Sequence, residues 1–359
     1  SAASDVYKRQ PITNKNLFNR NIRLLSFPIT WRYSLNKSFL IWVLSHLMGS
    51  IKTFEAFLKS KDSVKEHNII HFHGRISSLL PMIYLKKFEL QKFLKIIYTL
   101  HDDVVIPKEY SIVKRLVYFA ELHGFRFPVV RSADKIITVS PFVAERLKKL
   151  GIESDRVKFI PNGVDVHRFR PSKKRKIILF VGRLTKRKNV SALIQAFSQI
   201  NRRNYKLVII GDGEERLKLI NMIKRERLTG EVLLLGNVSK KMLTNLYSIS
   251  AIFALPSLSE GFPLSILEAM ASGCAIVASN IPTMQSIVRS ERDNFAILIK
   301  PKDTDSIAQA LSELITNSNL RRKLSLNARN VCMSKFSWEI IAKKILNTYL
   351  SVLGMQATS

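Results

Sequence analysis

Cysteine is nearly absent. Cys274 and Cys332 are the only two in 359 residues, too few for a disulfide framework or a cysteine-built metal cage, and that usage suits a reducing cytoplasm. Long apolar runs are missing too. Near the N-terminus the longest is Phe39 to Leu44, ended by Ser45 and His46, against about 20 residues needed to cross a bilayer. No transmembrane helix is predicted, and the first residues lack the basic, apolar, small-residue order of a secretory signal. Acidic residues are scarce, with 27 Asp+Glu against 58 Lys+Arg and a net charge of +31. The imbalance is even along the chain, 29 bases against 14 acids up to residue 170 and 29 against 13 beyond it. A dedicated nucleic-acid module concentrates its charge on one face or arm, so this spread argues against one. It fits an anionic ligand, an anionic membrane surface, or both.

What is present is globular: 46% hydrophobic and 24% charged residues, in a chain long enough for two domains at about 150 residues each. Short β-branched runs recur from residue 68 onward. They are Asn68 to His73, Lys95 to His101, Lys135 to Ser140, Val157 to Pro161, Lys176 to Gly182, Lys206 to Asp212, Glu231 to Gly236, Ala251 to Pro256, Cys274 to Ser279 and Ala296 to Ile299. Most are continuously apolar, as strands covered on both faces must be, and most are followed by a helical pattern. That predicts an α/β protein with parallel sheets. Asn162-Gly163-Val164-Asp165, Phe169-Arg170-Pro171 and the run Lys173 to Lys176 interrupt the alternation. An interdomain linker is placed there, with the basic run read as solvated. The expected boundaries are 1–167, 168–340 and a C-terminal helix in 341–359 that returns toward the first domain. Two doubly wound domains would face a cleft, with ligands at strand carboxyl ends.

The most informative stretch runs from Ser259 to Gly273. Pro263 suits the first turn of a helix and Gly273 its end, so a helix of about ten residues opens after the Gly261 turn. Its first amides, at Leu264 and Ser265, with the positive end of the helix dipole, make a phosphate site. Glu268, further in, suits a ribose diol, and Glu260, outside the helix, reaches a sugar beyond the phosphates. The plainer reading is two capping carboxylates. A second element, Val181 to Asn189, runs from a strand through Gly182 into Arg183, Lys186, Arg187 and Lys188. Four cations in six residues repel one another unless an anion is supplied. The turn Gly211-Asp212-Gly213 lacks the third glycine of a dinucleotide loop, so an NAD site is not expected, and tight turn and ligand contact stay equally open. His71 and His73 share a strand face and His101-Asp102 closes the next. No third ligand stands at a metal spacing, and a polar contact to substrate is assigned to His101.

Taken together these segments resemble the retaining, family-four glycosyltransferases of GT-B fold. Glu260 to Glu268 is similar to their E-x7-E motif, Val181 to Asn189 to their G-R-L-x-x-x-K loop. Phe159 to Asp165, Ile209 to Gly213, and Leu235 to Val238 ahead of Leu255-Pro256-Ser257 match as well, so the resemblance covers roughly residues 68 to 355. It implies transfer of a sugar from a UDP-, GDP- or ADP-sugar to a glycan or lipid-linked acceptor, without metal or further cofactor. In that scheme Arg183 and Lys188 hold the diphosphate, Glu268 the ribose and Glu260 the sugar. Gly261, Phe262, Pro263 and Leu264 offer backbone amides, Gly236, Asn237 and Val238 line the base, Gly211 and Gly213 border the donor, and His101 stands near the sugar. A sugar-nucleotide epimerase is the alternative on the same fold, and a non-catalytic polyanion binder a third reading. Peripheral attachment at an anionic inner membrane face is compatible with the charge and with the aromatics from Phe39 to Trp42. One departure stands out. No glycine precedes Gly49, whereas the family opens with a strand and a glycine-rich loop. Ser1 to Gln10 reads as unrelated to the rest of the chain, and the first strand is expected to be missing or supplied by Asn21 to Ile29.

Overall fold

The computed structural model describes residues 69–73, 94–101, 112, 127–288 and 294–355. The expectations for Ser1 to Gln10, Asn21 to Ile29 and Phe39 to Trp42 lie outside them. By contacts the chain divides into two compact units. One runs to Val139, with Val143–Phe159 and residues from Leu346; the other holds Ser140–Phe142 and Ile160–Ile345.

The first unit carries a parallel sheet in the order β1-β2-β3-β4, formed by Ile69–His73, Lys95–Leu100, Lys135–Thr138 and Val157–Phe159. Ile96, Tyr98, Leu100 and Ile136 pack there with Val143 and Leu147 of a helix, Pro141–Lys149. Asp134 ties the sheet edge to its loop by accepting from the Ile96 amide at 2.7 Å.

The second unit holds six parallel strands: β5 (Arg175–Val181), β6 (Lys206–Ile210), β7 (Val232–Gly236), β8 (Ser250–Leu255), β9 (Ala275–Ser279) and β10 (Ala296–Ile299). Every residue of β8 and β9 is buried, which is why these stretches read as unbroken apolar runs with no alternation. The order is β10-β9-β8-β5-β6-β7. This is the doubly wound arrangement, in which the chain leaves β5 in one direction through β6 and β7 and returns to β5's other side with β8. The crevice above the carboxyl ends of β5 and β8 is therefore the switch point, where sheets of this kind take ligands.

All ten expected strands form, their ends shifted by a residue or two at most sites. The contact division falls after Phe159, eight residues ahead of the expected boundary. The reason is local. Ile160 and Val164 are buried, the Val164 amide donates to Phe336 O and its carbonyl accepts from the Trp338 amide. A Cβ on Gly163 would lie 2.8 Å from the Trp338 ring. The segment after Phe159 is thus built into the second unit.

In the basic run Lys173, Arg175 and Lys176 are exposed, as the solvated reading expects, and Lys174 alone departs from it. Lys174 is half-buried, and its ammonium donates to Ser248 O at 2.9 Å and Ser272 O at 2.7 Å. Both carbonyls stand at helix C-termini, α1 (Lys240–Ile249) and α2 (Leu264–Ala271), where orphan acceptors and the negative dipole end favour a cation. Burial lowers the Lys174 pKa, with Cys274 and Arg329 as lesser influences. Lys174→Met keeps the stem and removes both bonds, and a loss of about 1–3 kcal/mol in urea unfolding is expected. An unchanged midpoint would mean that solvent serves the two carbonyls equally well.

Among the described residues no helix is long and apolar enough to cross a membrane.

Candidate functional site

The loop after β5 turns through Gly182 and Arg183 into a short 3-10 turn, Lys186–Lys188. Asn189 ends that turn in the left-handed region, φ 55°, and its side-chain amide donates to Pro301 O at 2.5 Å. The loop after β8 runs from Pro256 to Pro263. The two loops are stitched together, for the Leu258 amide donates to Arg187 O at 2.8 Å and Arg187 Nη1 to Ser259 O at 2.7 Å. Across this seam Lys188 Nζ lies 2.6 Å from Glu260 Oε1, and Arg187 Nη1 lies 3.4 Å from Oε2. The Thr283 hydroxyl fixes the Glu260 carbonyl at 2.7 Å. For two of the four clustered cations, Lys188 and Arg187, the anion is therefore Glu260, 72 residues away from Lys188.

Only 6% of the Glu260 side chain is exposed, and 11% of that of Lys188. Burial on its own raises the Glu260 pKa; Lys188 and then Arg187 outweigh it and hold the carboxyl below its ordinary 4.5. The sign of the pH dependence is set by that direction. A carboxyl with a depressed folded pKa adds stability above 4.5 and loses it as pH falls through the folded value. Acid unfolding of the wild type should therefore be steeper below pH 4.5 than that of Glu260→Gln. Parallel curves would exclude the pair as an acid-labile contact.

The helix α2 starts at Leu264, one residue later than expected, because Pro263 takes the extended cap position, φ −76° and ψ 114°. The first helical bond runs from the Ile266 amide to Pro263 O at 3.2 Å, so the Leu264 and Ser265 amides precede it. The Asn162 side chain donates to Phe262 O at 3.4 Å. Gly273 ends the helix in the left-handed region, φ +67°. Glu268 is part-buried beside the buried Tyr247 hydroxyl, whose pKa is pushed well above 10 by burial first and by the Glu268 charge second.

The glycine turns of β5, β6 and β7 meet at the same edge. Gly182 N donates to Ile210 O at 3.0 Å, Leu184 N to Asp212 O at 3.0 Å and Gly211 N to Gly236 O at 2.8 Å. Gly236 is buried and Asn237 exposed, with Val238 between these extremes. In the first unit, His101 follows β2, and its Nε2 lies 3.2 Å from His73 Nδ1. His71 contacts Tyr349 Oη and Thr99 Oγ1, both at 2.6 Å. Burial, with the nearby His101 second, pushes His71 down to about 3, so it acts as a neutral ring with one donor and one acceptor nitrogen. Among the described residues no group of three His, Cys, Asp or Glu could hold a metal ion.

The structure thus brings Lys188, Glu260 and the Gly261 to Leu264 turn together at the switch point, with Arg183 on the same loop as Lys188. Arg187 was missed as the second partner of Glu260, as were Thr283 and Tyr247. The excess of cations over local anions was the sequence signal that could have found Arg187.

Two family models match the chain, Glycosyltransferase Family 4 over residues 19–168 and Glycosyl transferases group 1 over residues 165–331. The chain belongs to the family-four glycosyltransferases. An uncharacterized glycosyltransferase of Methanocaldococcus jannaschii is 32% identical over 252 residues, 65% of this chain and 64% of that protein. The UDP-Gal:alpha-D-GlcNAc-diphosphoundecaprenol alpha-1,3-galactosyltransferase of Escherichia coli is 28% identical over 347 residues, 88% and 84% of the two chains. The chain therefore spans just under two thirds of the first relative and most of the second. Among solved structures, Anabaena HepE in complex with UDP-glucose superposes with a TM-score of 0.68 at 20% identity, covering 82% of this chain and 81% of that one. That likeness shows the fold, GT-B. Neither relative is named as an epimerase, and no observation supports that alternative.

Proposed function

We propose that this family-four chain moves a sugar from a nucleoside-diphosphate sugar to an acceptor hydroxyl with retention of configuration. The observation that carries the reading is the buried Lys188–Glu260 contact at the β5–β8 switch point. Cleaving the donor bond places negative charge on the diphosphate and positive charge on the sugar ring. Preorganised cations at the former, Arg183 and Lys188, act more strongly in the transition state than in the ground state. The amides from Gly261 to Leu264 would take the phosphates, Glu268 the ribose, and Gly236 to Val238 the base. Gly211 and Gly213 border the site, and His101 would serve the sugar from the first unit. Glu260 would hold sugar hydroxyls.

A carboxylate drawn below its ordinary pKa by two cations is a poor base and a poor nucleophile. That supports front-face attack, in which the leaving phosphate helps deprotonate the acceptor and no covalent glycosyl-enzyme forms. No metal is needed where two cations already face the diphosphate. HepE is described with UDP-glucose and the galactosyltransferase is named for UDP-Gal and a diphosphoundecaprenol acceptor. Both favour a UDP-sugar donor here, and the second a lipid-linked glycan acceptor reached by peripheral attachment at the membrane.

Thermal shifts with UDP, GDP, ADP and their sugars test the division of labour. Glu268→Ala is expected to weaken free nucleotide binding, since its partner is the ribose. Glu260→Ala should spare the nucleotide and impair the sugar-bearing donor. Equal losses for nucleotide and nucleotide sugar in both variants would contradict the assignment.

A further inference from the structure

A groove of about 570 Å³ runs along the outer face of α1 in the second unit, between that helix and the segment from Arg168 to Ser172. Its walls carry Arg168, Arg170, Lys240 and Lys241, with the hydroxyl-bearing Thr244 and Ser248 along its length; no carboxylate and no aromatic side chain lines it. From Lys240 to Ser248 the helix rises about 12 Å. None of the residues assigned to the donor lines it.

The four cations have no carboxylate within salt-bridge distance among the described residues. The fold engages only Arg168, whose guanidinium lies 5.3 Å from the centre of the buried Phe169 ring, a contact that leaves its charge unneutralised. Lys240 and Lys241 stand in the first turn of α1, which has no acidic residue, at the end of a helix where cations are disfavoured. Arg168 and Arg170 face them across the groove instead of an acid. The walls are firm: Phe169 and Tyr247, both fully or almost fully buried, meet edge to face at 5.6 Å beneath the segment. Four positive charges along one groove are complementary to a ligand with more than one anionic group. The lining decides between kinds of anion. Without an aromatic platform it offers nothing for unstacked bases, whereas phosphate oxygens need only charge and hydrogen-bond donors.

We infer that this groove is a second, phosphate-binding site of the chain, separate from the donor site, whose ligand is a phosphate-bearing lipid headgroup or a soluble phosphate. The test uses the full chain with Arg168→Gln, Arg170→Gln, Lys240→Gln and Lys241→Gln combined. A control replaces the exposed Lys206, Lys224, Arg322 and Lys323 by Gln, removing the same charge elsewhere on the second unit. Co-sedimentation with phosphatidylcholine vesicles, with and without phosphatidylglycerol, is read beside binding of inorganic pyrophosphate. Unfolding midpoints and the UDP-induced shift confirm that both variants fold and keep the donor site. The groove variant should lose anion-dependent binding by at least about tenfold while the control stays close to wild type. Loss confined to vesicles assigns a headgroup; loss of pyrophosphate binding alone assigns a soluble phosphate. Equal losses in both variants would show that net charge is responsible, and binding unchanged in the groove variant would also overturn the site. Single-stranded DNA held more tightly than either phosphate probe, and released by the groove variant alone, would overturn it in favour of nucleic acid.

Discussion

Lys188→Ala should lose sugar transfer by about 10²-fold or more and should also destabilise the folded chain. Removing the Lys188 ammonium leaves the Glu260 carboxylate, 6% exposed, with Arg187 at 3.4 Å as its remaining salt bridge among the described residues. Breaking a buried pair by deleting one partner costs about 3–5 kcal/mol, because the other charge stays desolvated. Arg187 keeps this case near the lower end. The same logic gives a second expectation. In the Lys188→Ala background, Glu260→Gln removes the stranded charge, so the double variant should be more stable than the sum of the singles by about 1–3 kcal/mol. Urea unfolding of the four proteins of this cycle decides it. Additivity would mean that the contact contributes nothing to the fold and that Lys188 serves the donor alone.

The sheet was legible because parallel strands with both faces covered leave a mark, a short run that is apolar at every position. Ile252 to Leu255 and Ile276 to Ala278 are buried at every position, and their codes are apolar at every position. Strand ends were less legible, since the last apolar residue and the last ladder bond need not coincide. The E-x7-E stretch revealed its helix through Pro263 and Gly273, though only the backbone shows Pro263 as a cap. The pairing of Glu260 with Lys188 was beyond the sequence. A carboxylate near a glycine turn reads the same whether it waits for a sugar or closes a salt bridge, and 72 residues separate the two partners. Lys174 hid in a basic run for a similar reason. Four adjacent cations suggest solvent, and only the arrival of two helix C-termini at one of them draws it half out of the water.

Gly211→Ala is expected to cost about 4 kcal/mol or more, among the largest single-residue effects available in the second unit. Gly211 and Gly213 left two readings open, approach of a ligand or approach of the chain to itself, and the geometry favours the second. A Cβ on Gly211 would stand 1.9 Å from Gly182 O, and one on Gly213 would stand 2.4 Å from Leu184 O. Both obstacles are backbone atoms, on residues tied by the Gly182 amide's bond to Ile210 O and by the Glu215 amide's bond to Leu184 O, so neither yields by a side-chain rotation. Gly211 also sits at φ +130°, which an L side chain rarely adopts. Three alanine variants separate the contributions. Gly230, at φ +84° with nothing within 4 Å of its Cβ position, carries strain without collision and should cost about 1 kcal/mol. Gly213→Ala carries collision without a positive φ, and Gly211→Ala carries both. The expected order of loss is Gly211, then Gly213, then Gly230, read from urea midpoints. If Gly211→Ala and Gly213→Ala are no worse than Gly230→Ala, yet abolish the thermal shift with UDP, the loop yields and both glycines are there for the donor.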